Sequence, residues 1–435
     1  MIITKYIKYN KYVILSIIFI YILYKYIDYY DINNMENLEN INNMENLENI
    51  KPTKIYYCGK YKINSPFKNA IDSLNLQITK NIIETELYFP CGFNNVELEL
   101  NKFRFVDKTN TEYNLKNKVF MGVLGCDKLC SKNEIWNKLQ SYYNTEEASK
   151  IMPLSFIIKN QNDLLKLKDI ENEMIQQNKK SIYILKNNNQ GKKGLYMTDN
   201  ILSLIENKTD IINNINDSIY KNDKIYEYKV IQKYITNPFL INKRKLNIRL
   251  YVLIINIKKL NTKWYLFKDG KCIYNNKDYN KLTSLLTDNL QDKEQHFTSL
   301  NLDYNYVYND LGNPETLDEL NNYIGNNDYN YLLIKILDKL KKIKYVYNTG
   351  NVLNNKDNLK KNITLQYFGI DVILDDKLEP YILEFNKGPE MKYNSPNDEK
   401  MKNDMVYTTL NIAIHFYHNN LQIVKNILNN KFIII

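Results

Sequence analysis

The chain has 435 residues, of which 25% are charged and 44% hydrophobic. That is enough to bury a sizeable core and to build two or three subdomains. Lys plus Arg number 59 against 49 Asp plus Glu, and the net charge of +10 favours acidic partners. Five cysteines (Cys58, Cys91, Cys126, Cys130 and Cys272) and three histidines argue against a structural zinc centre, and the thiols are read as reduced and buried. The many tyrosines do not gather on one basic face, so no nucleic-acid partner is expected.

In chain order, Tyr12 to Tyr24 (YVILSIIFIYILY) is apolar and uncharged, with Lys5, Lys8 and Lys11 before it and Lys25 after it. It predicts a short membrane helix, an uncleaved single-pass anchor within residues 1–27; a cleaved signal peptide and an interfacial helix are the alternatives. The flanking charges favour a cytosolic N-terminus, which would carry the remainder away from abundant ATP, and the side of the membrane stays open. Residues 32–49 repeat INNMENLEN, read as a polar spacer within a linker over 28–53.

A small N-terminal α/β domain is expected over 54–150, with strand-like runs at Lys54–Cys58, Leu98–Val106 and Val119–Leu124 and helical spacing in Glu134–Tyr143. Leu164–Gln176 reads as an amphipathic helix and Ser181–Leu185 as a strand. That strand runs into Lys186 and a polar loop containing Gln190, Gly191 and Gly194. Such a loop can wrap a polyphosphate, through glycine backbone N–H groups and lysine charge; a basic surface turn is the alternative.

Val230–Ile235 and Leu246–Ile255 read as strands. Lys245, Asn247 and Arg249 alternate and so share one face of the second strand. Cations on a buried strand require anions, which a bound phosphate supplies; ion pairs on an edge strand are the alternative. Trp264–Tyr274 predicts a hairpin turning at Asp269-Gly270. His296-Phe297-Thr298-Ser299 follows, then helices over 302–365, with Asn330–Lys344 carrying a solvated basic face.

Tyr367 to Pro389 (YFGIDVILDDKLEPYILEFNKGP) predicts a hairpin with a break at Asp375-Asp376-Lys377. A four-residue turn would set Asp371 opposite Glu384, with Asn386 diagonal on the same face. Three clustered oxygen ligands suit Mg²⁺ and suggest a metal clamp for nucleotide phosphates; a hairpin edge with solvated acids is the alternative. Glu399–Tyr417 closes the pattern as an amphipathic helix.

Two long stretches, VIQKYITNPFLINKRKLNIRLYVL and FGIDVILDDKLEPYILEFNKGP, in that order, resemble the tubulin–tyrosine ligase-like family of the ATP-grasp superfamily, from about Met152 to Leu410. The resemblance implies an α+β, ATP-grasp fold whose two α/β subdomains, 151–236 and 237–430, clamp ATP. It implies Lys186 on the α- and β-phosphates, with Gln190 and Gly191 in the covering loop. Gln232, Lys233, Tyr234 and Ile235 would line adenine, and Thr298 and Ser299 would lie beside the nucleotide. Lys245 and Arg249 would act catalytically near the transferred phosphate, and Asp371, Glu384 and Asn386 would ligate Mg²⁺.

The implied reaction is amide formation through an acyl phosphate, joining a free amino acid to an acidic protein or peptide, tubulin-like tails among them, by a monomer. No side-chain nucleophile is required, and no Ser-His-Asp or Cys-His arrangement is evident. The chain departs from the family pattern at Asn247 (for Asp), Ile273 (for Arg) and Ser299 (for Asn). The first two predict weaker recognition of an amino acid's ammonium and carboxylate. They motivate an alternative, a membrane-tethered nucleotide-binding pseudoenzyme that grips acidic tails.

Overall fold

A computed structural model describes residues 52–106, 118–188, 194–206, 228–257, 262–280, 290, 292–349 and 363–435. The first strands are short: β1 (Lys54–Tyr56), β2 (Gln77–Thr79), β3 (Leu87–Tyr88) and β4 (Val119–Phe120). All of their mutual pairings are parallel. They continue, through β4, into a larger sheet made of β9 (Leu240–Ile241), β10 (Arg244–Ile257), β11 (Lys263–Tyr274), β12 (Ile363–Leu374), β13 (Pro380–Asn386) and β14 (Phe432–Ile434). A second, four-stranded antiparallel sheet holds β5 (Ser155–Ile157), β6 (Tyr183–Lys186), β7 (Leu195–Thr198) and β8 (Val230–Lys233) in the order β5-β8-β6-β7. This mixed α/β architecture is consistent with the fold the resemblance implies.

The long apolar run of β10 reflects burial on both faces, as expected of a strand covered twice. Its even positions, Leu246 to Ile254, enter one core. There they meet helices α4 (Lys132–Ser149), which buries Ile135, Trp136 and Leu139, and α9 (Asn326–Thr349), which buries Leu332, Ile336, Leu340, Ile343 and Tyr347. Its odd positions Tyr251, Leu253 and Ile255 enter a second core under α1 (Ser65–Ser73) and α10 (Pro396–Tyr417). On that same odd face the run turns polar at Arg249, Asn247 and Lys245. One strand thus carries an apolar anchor at one end and a functional surface at the other. The four-stranded sheet has its own core, in which Phe156, Tyr183, Leu185 and Ile231 pack on α5 (Gln161–Gln176) and α6 (Ile201–Glu206).

Several expectations are corrected. Among the described residues no helix is long and apolar enough to cross a membrane. Tyr12–Tyr24 itself lies outside the described residues. The single-pass anchor and the membrane location are therefore not carried forward. Val96–Val106 is a helix, α2, rather than a strand. Its alternating VELEL pattern suggested period two, but Val96 and Leu100, one turn apart, are the buried pair, and Glu97 and Glu99 sit in the first turn where the helix dipole favours acids.

Residues 263–274 form one strand and not a hairpin. Asp269 lies in a bulge that Gly270, paired with Leu250, borders, where the register shifts between Leu250 and Val252 of β10. A Cβ on Gly270 would stand 2.6 Å from the Arg249 carbonyl oxygen, so the close approach requires glycine. Cys58 and Cys91 form a disulfide, correcting the reading of reduced thiols, because parallel β1 and β3 bring their following residues together. Cys126 and Cys272 are free and buried, as expected. Short helices α3 (Cys126–Cys130), α7 (Lys293–His296), α8 (Leu317–Ile324) and α11 (Leu421–Lys431) complete the chain.

Candidate functional site

The two sheets enclose a cavity of about 580 Å³. The larger sheet contributes Lys245, Asn247 and Arg249 from β10, Asp371 from β12, and Glu384 and Asn386 from β13. The smaller sheet contributes Lys186 from β6 and Gln232 and Lys233 from β8, with Tyr234 and Ile235 just beyond. Thr298 and Ser299 line a third side, following α7. Every candidate residue that lies within the described stretches therefore faces one cavity. Gln190 and Gly191 lie outside the described residues.

Antiparallel pairing sets the acidic cluster. Asp371 lies opposite Glu384, and Gly369 opposite Asn386, so Asn386 is two positions along the same face. A bulge after Asp371 ends this local register. Asp371 also lies opposite Arg249 of β10. Arg249 grips it with two nitrogens, Nε to Oδ1 and Nη2 to Oδ2 at 3.1 Å. Burial pushes the Asp371 carboxyl up, against the pull of Arg249. Burial also works against ionising Glu384, but Lys132 and Lys186 outweigh it and hold that carboxyl at about 2. Lys132 Nζ stands 3.0 Å from Glu384 Oε2, and Asn386 Nδ2 donates to Glu384 Oε1 at 3.0 Å.

The two lysines Lys186 and Lys245 are held differently from Arg249. Lys186 Nζ donates to Gln232 Oε1 at 2.6 Å, and Gln232 Nε2 donates to Ser155 Oγ at 2.9 Å. Lys245 Nζ donates to the His296 carbonyl at 2.9 Å and to Tyr234 Oη at 3.2 Å, and lies 4.7 Å from the Tyr234 ring centroid. All of these partners are neutral. Desolvation pushes Lys186 down to about 8 despite nearby Glu384. It pushes Lys245 down to about 7, with Lys186 adding repulsion. Two buried lysines held by neutral oxygens gain most from an anion entering between them.

Sequence reasoning missed Lys132, Glu390 and buried His296, all of which line the cavity. Lys132 opens α4, whose local pattern marks only a helix start; its ion pair with Glu384 spans most of the chain and leaves no local trace. His296 shapes the cavity through its carbonyl, which no side-chain motif reports.

The chain belongs to the tubulin-tyrosine ligase family, whose family model matches residues 114–422. Similar proteins include a tubulin polyglutamylase of Caenorhabditis elegans, ttll-5, 26% identical over 196 residues, covering 42% of this chain and 26% of that protein. Tubulin glycylase 3C of Tetrahymena thermophila is 30% identical over 184 residues, 40% of this chain and 16% of that protein. Tubulin monoglutamylase TTLL4 of Mus musculus is 27% identical over 197 residues, 42% of this chain and 16% of that protein. The aligned part thus spans about a quarter or less of each relative.

Proposed function

We propose that the chain is an ATP-dependent carbon–nitrogen ligase of the ATP-grasp type, joining an amino acid to a carboxylate of an acidic protein or peptide. The observation that carries this reading is one cavity lined both by buried Lys186 and Lys245, whose hydrogen-bond partners are neutral, and by the Asp371–Glu384–Asn386 cluster. Relatives whose names describe tubulin polyglutamylases and glycylases support an acidic tail such as tubulin's as the acceptor.

The residues fit Mg²⁺: two carboxylates and an amide oxygen come together from neighbouring strands, the hard-oxygen donor set that ion takes. Asp371, Glu384 and Asn386 would hold it, and when bound it would offset charge on phosphate oxygens. The chain's own residues do the rest. Gln232 to Ile235 wall the base end, with Tyr234 buried. Lys186 and Lys245 bind the phosphates, whose negative charge favours the protonated form of both. Arg249, fixed by Asp371, presents its remaining nitrogen to the transferred phosphoryl group and to the carboxylate that receives it. An acyl phosphate formed there would be attacked by the amine, and holding both substrates in line supplies much of the rate.

ADP release in the presence of Mg-ATP, an amino acid mixture and a glutamate-rich peptide tests this. Acceptor-dependent turnover is expected, falling by about 10²-fold or more in Glu384→Gln. Turnover that ignores the peptide, or that survives Glu384→Gln, overturns the reading. A second reading, a nucleotide-binding protein without turnover, rests on Asn247 and Ile273 lining the cavity. It expects saturable Mg-ATP binding with no ADP release.

A further inference from the structure

The cysteines of this chain are not in one redox state. Cys58 and Cys91 are joined, while Cys126 and Cys272 are free and buried. Both joined residues are partly exposed, and Gly59, Lys60 and Lys80 nearby are exposed. A Cβ on Gly59 would lie 3.5 Å from Lys80 Nζ, which places that ammonium beside the turn that carries Cys58. Lys60, two residues from Cys58, holds its Nζ 5.5 Å from the Tyr61 ring centroid. Cationic surroundings favour the approach of a thiolate and stabilise the one released when a disulfide opens.

The bond stands at the head of a path into the cavity. Cys91 follows β3 and begins the turn that leads into α2. Its N–H lies 3.0 and 3.1 Å from the two oxygens of Glu99, and its carbonyl accepts from Asn95 Nδ2 at 2.7 Å. Those partners belong to α2 and to the turn itself, so they shape the turn without tying it to the loop after β1. The disulfide supplies that tie. At Gly92, where φ is +92°, a Cβ would stand 3.0 Å from the Tyr61 ring, so the two loops pack directly on each other. Phe93 comes next, and its ring lies 2.5 Å from where a Gly388 Cβ would be. Gly388 lines the cavity, two residues past Asn386.

We propose that the Cys58–Cys91 bond is a redox-sensitive control point for the cavity. Closed, it holds Phe93 against Gly388 and so backs the segment that follows the acidic cluster. Opened by a dithiol, it frees that segment, and Mg-ATP binds less tightly. A thiolate of the dithiol attacks one sulfur of the pair, and the other sulfur leaves as a thiolate that takes a proton from solvent. The second thiolate of the dithiol then attacks the sulfur already bonded to it, closes a cyclic disulfide and releases the remaining cysteine. Two electrons pass to the protein, and the two protons lost by the dithiol match the two its cysteines gain. The inference concerns nucleotide binding and needs no turnover.

The full-length protein, purified without reductant, is compared before and after treatment with dithiothreitol. Hydrogen exchange of the peptide spanning residues 385–392 is read by mass spectrometry, and the Mg-ATP Kd by calorimetry. Reduction is expected to speed exchange there and to raise Kd, each by about fivefold. The Cys58→Ser/Cys91→Ser variant should behave as the reduced protein from the start and ignore the reductant, which removes Cys126, Cys130 and Cys272 as the source. Phe93→Ala should speed the same exchange with the bond still closed, a response that a merely stabilising disulfide would not give. Free thiols at Cys58 and Cys91 in the protein as purified overturn the inference. So does exchange unmoved by reduction, an effect of reductant that persists in the double-serine variant, or loosening spread over the whole chain with Phe93→Ala silent. If Mg-ATP binds in neither state, the ligase reading fails, and with it the claim on nucleotide affinity; exchange at 385–392 then decides whether the bond controls the cavity wall.

Discussion

Arg249 and Lys245 lie four residues apart on one face of β10, both in the same cavity, yet they live in opposite electrostatic situations. Arg249 has a carboxylate gripping it and stays charged whatever else is present. Lys245 has a tyrosine hydroxyl, a carbonyl and an aromatic face, and desolvation pushes it down to about 7. The difference separates a cation built into the fold from one whose charge depends on what enters the cavity. A shared strand and a shared site do not imply a shared role.

The largest expected effect breaks the first situation. Arg249→Met leaves Asp371 buried without its counter-charge and should destabilise the protein by about 3 kcal/mol or more, read as a lowered denaturation midpoint. Lys245→Met should do the reverse: stability held or slightly raised, while Mg-ATP affinity, measured by calorimetry, drops about tenfold or more. Equal stability losses in the two variants would erase the comparison.

Proton linkage sharpens it. Lys245 titrates at about 7 in the native protein against 10.5 ordinarily. Between those values the unfolded chain holds the proton and the native chain does not. The unfolded state then binds more protons, so Lys245's contribution makes stability rise with pH across that window. An anion that recharges the lysine must draw a proton from solution. ATP binding near about pH 8.5 should therefore show uptake of up to about one proton from this residue, seen by calorimetry in buffers of different ionisation heat, and Lys245→Met should remove it. The smallest effect is a control at a residue that does not line the cavity. Thr316 caps α8 in a reciprocal capping box with Glu319, so Thr316→Ala should cost about 1 kcal/mol and leave turnover per folded molecule unchanged.

The acidic cluster was legible in the sequence because strand alternation is local: Asp371, Glu384 and Asn386 needed only a hairpin to meet, and the register matches. The shared face of Lys245, Asn247 and Arg249 was legible for the same reason. What was hidden depends on distant partners. The Cys58–Cys91 bond requires β1 and β3 to lie side by side, and Lys132 reaches Glu384 only after α4 packs against the larger sheet. The bulge at Gly270 imitated a turn, since the same Asp-Gly pair serves both. At Val96–Val106, period-two spacing competed with a helical pair, and burial of Val96 and Leu100 decided it.

Gly388, just past the acidic cluster, leaves a gap that the Phe93 ring fills, since a Cβ there would stand 2.5 Å from the ring. The family-matched stretch, 114–422, does not contain Phe93. A protein trimmed to that stretch would lose the ring that backs the exit from β13, along with the parallel strands that extend the sheet beyond β4. Measurements on such a fragment would describe a cavity with one wall unsupported, and should not be read as those of the chain described above.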